Sequence, residues 1–140
     1  MDEGLMAQIR TSFGIEKVDP MTYSPLALAY LGDGVFDLVV RTIIVGRANA
    51  PAHVLHEKCS QIVMASSQAN MFSLVQDELS EEELAVFKRG RNAKPRTIAK
   101  HASAHDYRIA TGFESLIGFL YLTGRMDRVL WIVKKGLQEQ

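Results

Sequence analysis

Three ionisable residues follow one another at four-residue spacing inside the apolar stretch LAYLGDGVFDLVVRTIIV: Asp33, Asp37 and Arg41. On a helix that spacing places them on one stripe. A further acid, Glu114, sits inside the equally apolar ATGFESLIGFLYL. A carboxylate among apolar neighbours needs a partner, a metal or a proton. Both acids lie among glycines, Gly32 and Gly34 beside Asp33, Gly112 and Gly118 near Glu114. Absent side chains there let a second helix or a ligand come close, at a cost of up to about 1 kcal/mol of helix propensity each. Two such helices could bring their carboxylates together, and the acids would then raise one another's pKa unless a cation joined them. Mg²⁺ suits such a site, being bound by a few carboxylates while keeping several waters. Plainer arrangements also fit the pattern. Asp37 and Arg41 make an ordinary i,i+4 ion pair, and Glu114 could pair with Arg108 or Lys100. Asp33 has no such partner, because Ala29 precedes it by four residues and Asp37 follows it by four.

The basic residues are concentrated elsewhere. Lys88, Arg89, Arg91, Lys94, Arg96, Lys100 and Arg108 fall within residues 88–108 against Asp106 alone, in a chain whose formal net charge is zero. A local positive patch on a neutral protein points to an anionic partner held at one place. These side chains fit phosphate contacts along an A-form duplex, and no aromatic interleaves with the six from Lys88 to Lys100, which disfavours single-strand stacking. A solvated basic loop is the plain alternative. His101 and His105 share helical spacing, but no cysteine or third histidine completes a zinc set. They are expected to support the loop or bond a phosphate, and His53 and His56 are expected to be structural.

The elements that must position these residues read as helices throughout, with no alternating strand run bounded by hairpin turns. Residues 1–23 read as a loosely held arm, with Leu5, Ile9 and Phe13 as one short amphipathic turn. Ser24 as N-cap and Pro25 at the first position open the first strong helix, expected to reach about Val45 with Gly46 as its stop. A second segment follows Pro51, and a third is expected to be capped by Ser66 or Ser67, with Ala69, Met71, Phe72, Leu74 and Val75 inward. Ser80-Glu81-Glu82-Glu83 has capping-box form. After it, Gly90, Asn92 and Pro95 argue for an exposed basic loop over 88–103. Two more helices are expected near 104–122 and 125–137. The body, 24–137, is thus one all-α domain.

Its 140 residues, 47% hydrophobic and 23% charged, suit one globular core. The single Cys59 excludes an internal disulfide and reads as a small buried side chain, which suits a reducing cytoplasm. The longest apolar run, 35–45, is broken by Asp37, Arg41 and Thr42, so no membrane span is expected. No early stretch has the order of a signal peptide, and a cytoplasmic location is expected.

LAYLGDGVFDLVVR resembles the signature of the ribonuclease III catalytic domain, whose Gly-Asp-Ala-Val core sits on a buried helix. FKRGRNAK followed by YRIATGFESLIGFLYLTG narrows the resemblance to Mini-ribonuclease III, the short bacterial form without a double-stranded-RNA-binding domain. The likeness covers about residues 24–135, in order and spacing. It implies that Asp33 is the catalytic aspartate and Glu114 the second metal-binding acid, both holding Mg²⁺. Two further acids of the larger enzymes fall on Ala29 and Thr111, a departure the short form shares. Asp37 stands where short-form enzymes commonly have glutamate and is expected to be auxiliary, as are Thr111 and Tyr107. Tyr107 and Arg108 are candidates for orienting Glu114 or gripping RNA. Gly34 replaces the alanine of the usual core.

The resemblance further implies an all-α ribonuclease III helical bundle acting as a homodimer on double-stranded RNA. It would hydrolyse phosphodiesters to 5′-phosphate and 3′-hydroxyl products, with the ends of precursor 23S ribosomal RNA as natural target. A ribosomal protein presenting that RNA is a conceivable partner. The rival expectation is a non-catalytic RNA-binding or ribosome-assembly protein on the same fold.

Overall fold

Seven α-helices and two 3₁₀ turns, with no strand among the described residues, make up the structure, a computed structural model that describes residues 4–94 and 103–138. The arm holds a true helix, α1 (Leu5–Phe13), ended by Gly14 in the left-handed region at φ 61°. It is longer than the single turn expected because Met6 on its underside packs against the core. At α2 (Pro25–Arg47) the Ser24 hydroxyl accepts the Ala27 N–H at 3.1 Å, the cap read from the sequence. Gly46 does not stop α2, which runs on to Arg47.

Next come α3 (Ala52–Val63) and α4 (Ala65–Val75), separated only by Met64. Met64, not Ser66 or Ser67, heads α4, and the Ser67 hydroxyl instead donates to the Gln61 carbonyl. The capping box opens α5 (Glu81–Asn92), with Glu83 N–H on Ser80 Oγ at 3.1 Å and Ser80 N–H on Glu83 Oε1 at 2.8 Å. Here the loop expected from residue 88 is corrected, since Lys88, Arg89, Gly90, Arg91 and Asn92 are helical. Gly90 is a contact point rather than a breaker. A Cβ there would overlap the Ser115 hydroxyl and stand 2.9 Å from Gly112 Cα. Ser103 caps α6 (Ala104–Leu122) by accepting the Asp106 N–H at 3.0 Å, and α7 (Met126–Gly136) follows.

The axis of the bundle is α6. Between 110 and 121 every residue except Glu114 is buried, the mark of a helix enclosed by others. α2, α4, α5 and α7 pack around it. Phe36 of α2 meets Phe113 edge-on at 5.5 Å, and Phe72 of α4 stacks on Phe87 of α5 at 3.7 Å. On the far side Arg128 of α7 grips Glu83 with two hydrogen bonds, at 2.8 and 2.9 Å. α2 is enclosed on one side only. Leu28, Val35, Phe36 and Val40 face inward, but Leu26, Tyr30, Leu38 and Val45 are uncovered, with Tyr30 84% exposed. No described helix is long and apolar enough to cross a membrane.

Candidate metal centre

The two carboxylates are positioned by a crossing of α2 and α6 in which backbone meets backbone. A Cβ on Gly32 would collide with the Glu114 carbonyl oxygen and lie 2.8 Å from the Gly118 nitrogen. A Cβ on Gly118 would collide with the Leu28 carbonyl oxygen. Only glycine at both positions permits this approach, the close contact expected from the glycine-flanked acids. Gly34 has open space around it instead. Ser115 adds a tie by donating to the Pro25 carbonyl at 2.8 Å.

Asp33 follows Gly32 directly and Glu114 is the residue Gly32 touches, so the side chains emerge together. Asp33 is exposed and Glu114 half-buried, so the site opens to solvent on the Asp33 side. Burial pushes the Glu114 carboxyl up, and a hydrogen bond and the charge from Asp33 push it further, to about 8, against a Gln68 hydrogen bond that lowers it. Without a cation, Glu114 therefore carries a proton at neutral pH. A divalent ion can replace that proton.

The donor set fits Mg²⁺. It offers hard carboxylate oxygens on a solvent-open face, and among the described residues no third His, Cys, Asp or Glu joins them. That leaves positions for water or a phosphate, as Mg²⁺ prefers. Ala29 is buried and offers no side-chain oxygen. The Thr111 hydroxyl donates to the Tyr107 carbonyl at 2.9 Å, an internal helix bond.

Asp37 points elsewhere. Its carboxylate takes Arg41 Nε at 2.8 Å and the Cys59 thiol at 3.4 Å, so the ordinary i,i+4 pair is formed. Burial and Asp37 together raise the Cys59 thiol pKa, in keeping with an inert buried cysteine. Tyr107 is half-buried and Arg108 exposed near the start of α6.

Because Gly90 abuts Gly112 and Ser115, the basic end of α5 lies beside the α6 turn that carries Glu114. Lys88 and Lys94 are exposed there. Arg89 donates to the Tyr23 carbonyl at 3.4 Å and so holds the segment leading into α2. Arg91 donates to Asn92 at 3.1 Å and sits 5.8 Å from the Phe87 ring. Arg96, Lys100 and His101 lie outside the described residues.

One member of the site was missed from the sequence. Gln68 of α4 is buried and donates to Glu114 Oε2 at 3.2 Å. Its signal was available: it shares a helix face with Met71, Phe72 and Val75, so a polar side chain there had to find a partner inside.

A family model for the ribonuclease III domain matches residues 26–125, a span that contains both acids and the helices that join them. The chain belongs to the ribonuclease III family. It is similar to the Mini-ribonuclease 3 of a Thermoanaerobacter species, 38% identical over 99% of this chain and 97% of that one. A Mini-ribonuclease 3 of Clostridium tetani is 45% identical over 84% of this chain and 79% of its own. In three dimensions the fold resembles a crystal structure of a Fusobacterium nucleatum protein, with a TM-score of 0.78 and 27% identity over 86% of this chain and 96% of that one. The ribonuclease III bundle expected from the sequence is the fold found.

Proposed function

We propose that this ribonuclease III family member is a Mg²⁺-dependent endoribonuclease of double-stranded RNA. It hydrolyses phosphodiesters to 5′-phosphate and 3′-hydroxyl ends, and the ends of precursor 23S ribosomal RNA are its natural target. The observation that carries the reading is the convergence of Asp33 and Glu114 where the α2 and α6 backbones touch.

Asp33 and Glu114 would hold the ion. Mg²⁺ bound there supplies charge neutralisation on phosphate oxygens and a water of lowered pKa. Asp33 presents its carboxylate to the open face, where a duplex backbone can reach it. Glu114 gives up its proton when the site loads and keeps one oxygen on the Gln68 amide. Lys88 and Lys94, with Arg108 on α6, offset the repulsion that the acids alone would exert on a polyanion. Recognition is by the shape and phosphates of the A-form helix, since no aromatic interrupts the basic residues from Lys88 to Lys100.

The proposed enzyme is a homodimer. The uncovered α2 residues Leu26, Tyr30 and Leu38, spaced by four and eight along one side of the helix, are the surface for it, because exposed apolar side chains grouped on one face mark a protein contact. Gly34 in the middle of that stripe leaves room for a second helix to come close.

The test is cleavage of a protein-free RNA duplex with and without Mg²⁺. Wild type should cut only with the metal, and Asp33→Asn should bind the duplex without cutting it. Binding without cleavage by the wild type would replace the enzyme with a non-catalytic RNA-binding protein.

A further inference from the structure

Gln68 is 2% exposed, yet its side-chain oxygen has no hydrogen-bond partner among the described residues. Its Nε2 makes two bonds, to the Val63 carbonyl at 2.8 Å and to Glu114 Oε2 at 3.2 Å. A buried acceptor left unpaired is uncommon and calls for a reason. A methionine or leucine would fill the same space without that orphaned oxygen, on the α4 face shared with Met71, Phe72 and Val75, but would leave the Val63 carbonyl and Glu114 Oε2 without their donor. What glutamine adds is the donor.

The orientation of the amide is settled by chemistry. A backbone carbonyl only accepts, so the face toward Val63 must be the NH₂. Turning the amide over would set its oxygen against the Val63 carbonyl oxygen, which has no proton to give. Nε2 is therefore always presented to Oε2, and that oxygen is always met by a donor.

We propose that Gln68 is a positioning residue for the metal centre, dividing the Glu114 carboxylate into one oxygen held by the amide and one oxygen free for the ion shared with Asp33. The inference rests on the metal-centre reading above and adds a residue to it. Outer partners of metal-binding carboxylates commonly change metal affinity by about 10- to 100-fold when removed.

The experiment measures Mn²⁺ binding to RNA-free protein by electron paramagnetic resonance, with thermal melting of the metal-free protein alongside. Gln68→Met keeps the volume and loses the donor, and Gln68→Leu serves if the first variant melts below the assay temperature. The expected result is Mn²⁺ affinity weaker by about tenfold or more, accompanied by a modest fall in the metal-free Tm where the Val63 carbonyl loses its donor. Affinity within about twofold of wild type overturns the proposal, whatever the Tm. So does a lowered Tm with unchanged affinity, which would make Gln68 only a brace for the end of α3. Failure of the wild type itself to bind Mn²⁺ in an Asp33-dependent way overturns the metal centre, and the role of Gln68 with it.

Discussion

Substituting alanine for Gly32 tests whether backbone contact between α2 and α6 is what assembles the site. In an ordinary helix interior the change should stabilise by about 1 kcal/mol through propensity. Here the new Cβ would stand 2.7 Å from the Glu114 carbonyl carbon and 2.8 Å from the Gly118 nitrogen, with both partners backbone atoms of a buried helix. Ordinary separation between such atoms is about 3.5–4.0 Å, so α2 must withdraw from α6 by about 1 Å. Overpacking of this kind costs about 1–3 kcal/mol, which outweighs the propensity gain or at best cancels it. The withdrawal also carries Asp33 away from Glu114, and a misplacement of about 1 Å can lower a rate by about 100-fold. Cleavage of a duplex at saturating Mg²⁺, with melting of the same samples, reads both effects. Gly46→Ala is the control in the last turn of α2, where nothing lies within 4 Å. It should gain up to about 1 kcal/mol and keep its activity. A Gly32→Ala protein that melts like Gly46→Ala and cuts like wild type would refute the view that this crossing sets the geometry.

Three further outcomes follow from the same structure. Glu114 is raised from 4.5 to about 8, so the folded metal-free protein binds its proton more tightly than the unfolded chain. The associated stability is fully present below about pH 4.5 and is lost as pH rises through about 8. Metal-free melting curves should show this fall, and Glu114→Gln should abolish it. Arg128→Ala strips both hydrogen bonds from Glu83, which is 3% exposed. Burial pushes that carboxyl up, but the bonds to Arg128 and Ser80 hold it below its usual range. Leaving it unpaired should destabilise by about 3 kcal/mol in urea unfolding, unless Glu83 takes up a proton. Tyr30→Asp places a charge on the exposed α2 stripe. Sedimentation should show the variant as a monomer, with no change in the helical content of the chain.

Much of the architecture is legible locally because its signals act within a turn. Ser24-Pro25 and the Ser80–Glu83 box name their helix starts, and the structure forms both caps. The apolar runs mark α2 and α6 as helices that pack on others, and the structure encloses α6 while leaving one side of α2 open. Gly32 and Gly118 announce a close approach, although not that they would touch each other's helices. The same local logic misplaced Gly90. A glycine near a positive run reads as a breaker, and only its fit against Gly112 and Ser115 shows that it belongs inside α5.

By itself, then, the sequence determined the helical class and the family and singled out the two acids that the structure brings together, because residue type and spacing are local properties of the chain. The tertiary structure decided how those groups are used. It turned Asp37 toward Arg41 and Cys59, left one side of α2 uncovered, and set Arg89 to hold the segment before α2. It also brought Gln68 to Glu114 across 46 residues of chain. The physical reason is that a hydrogen bond or a buried charge depends on where a second, distant segment packs, and no window of sequence around either residue contains that distance.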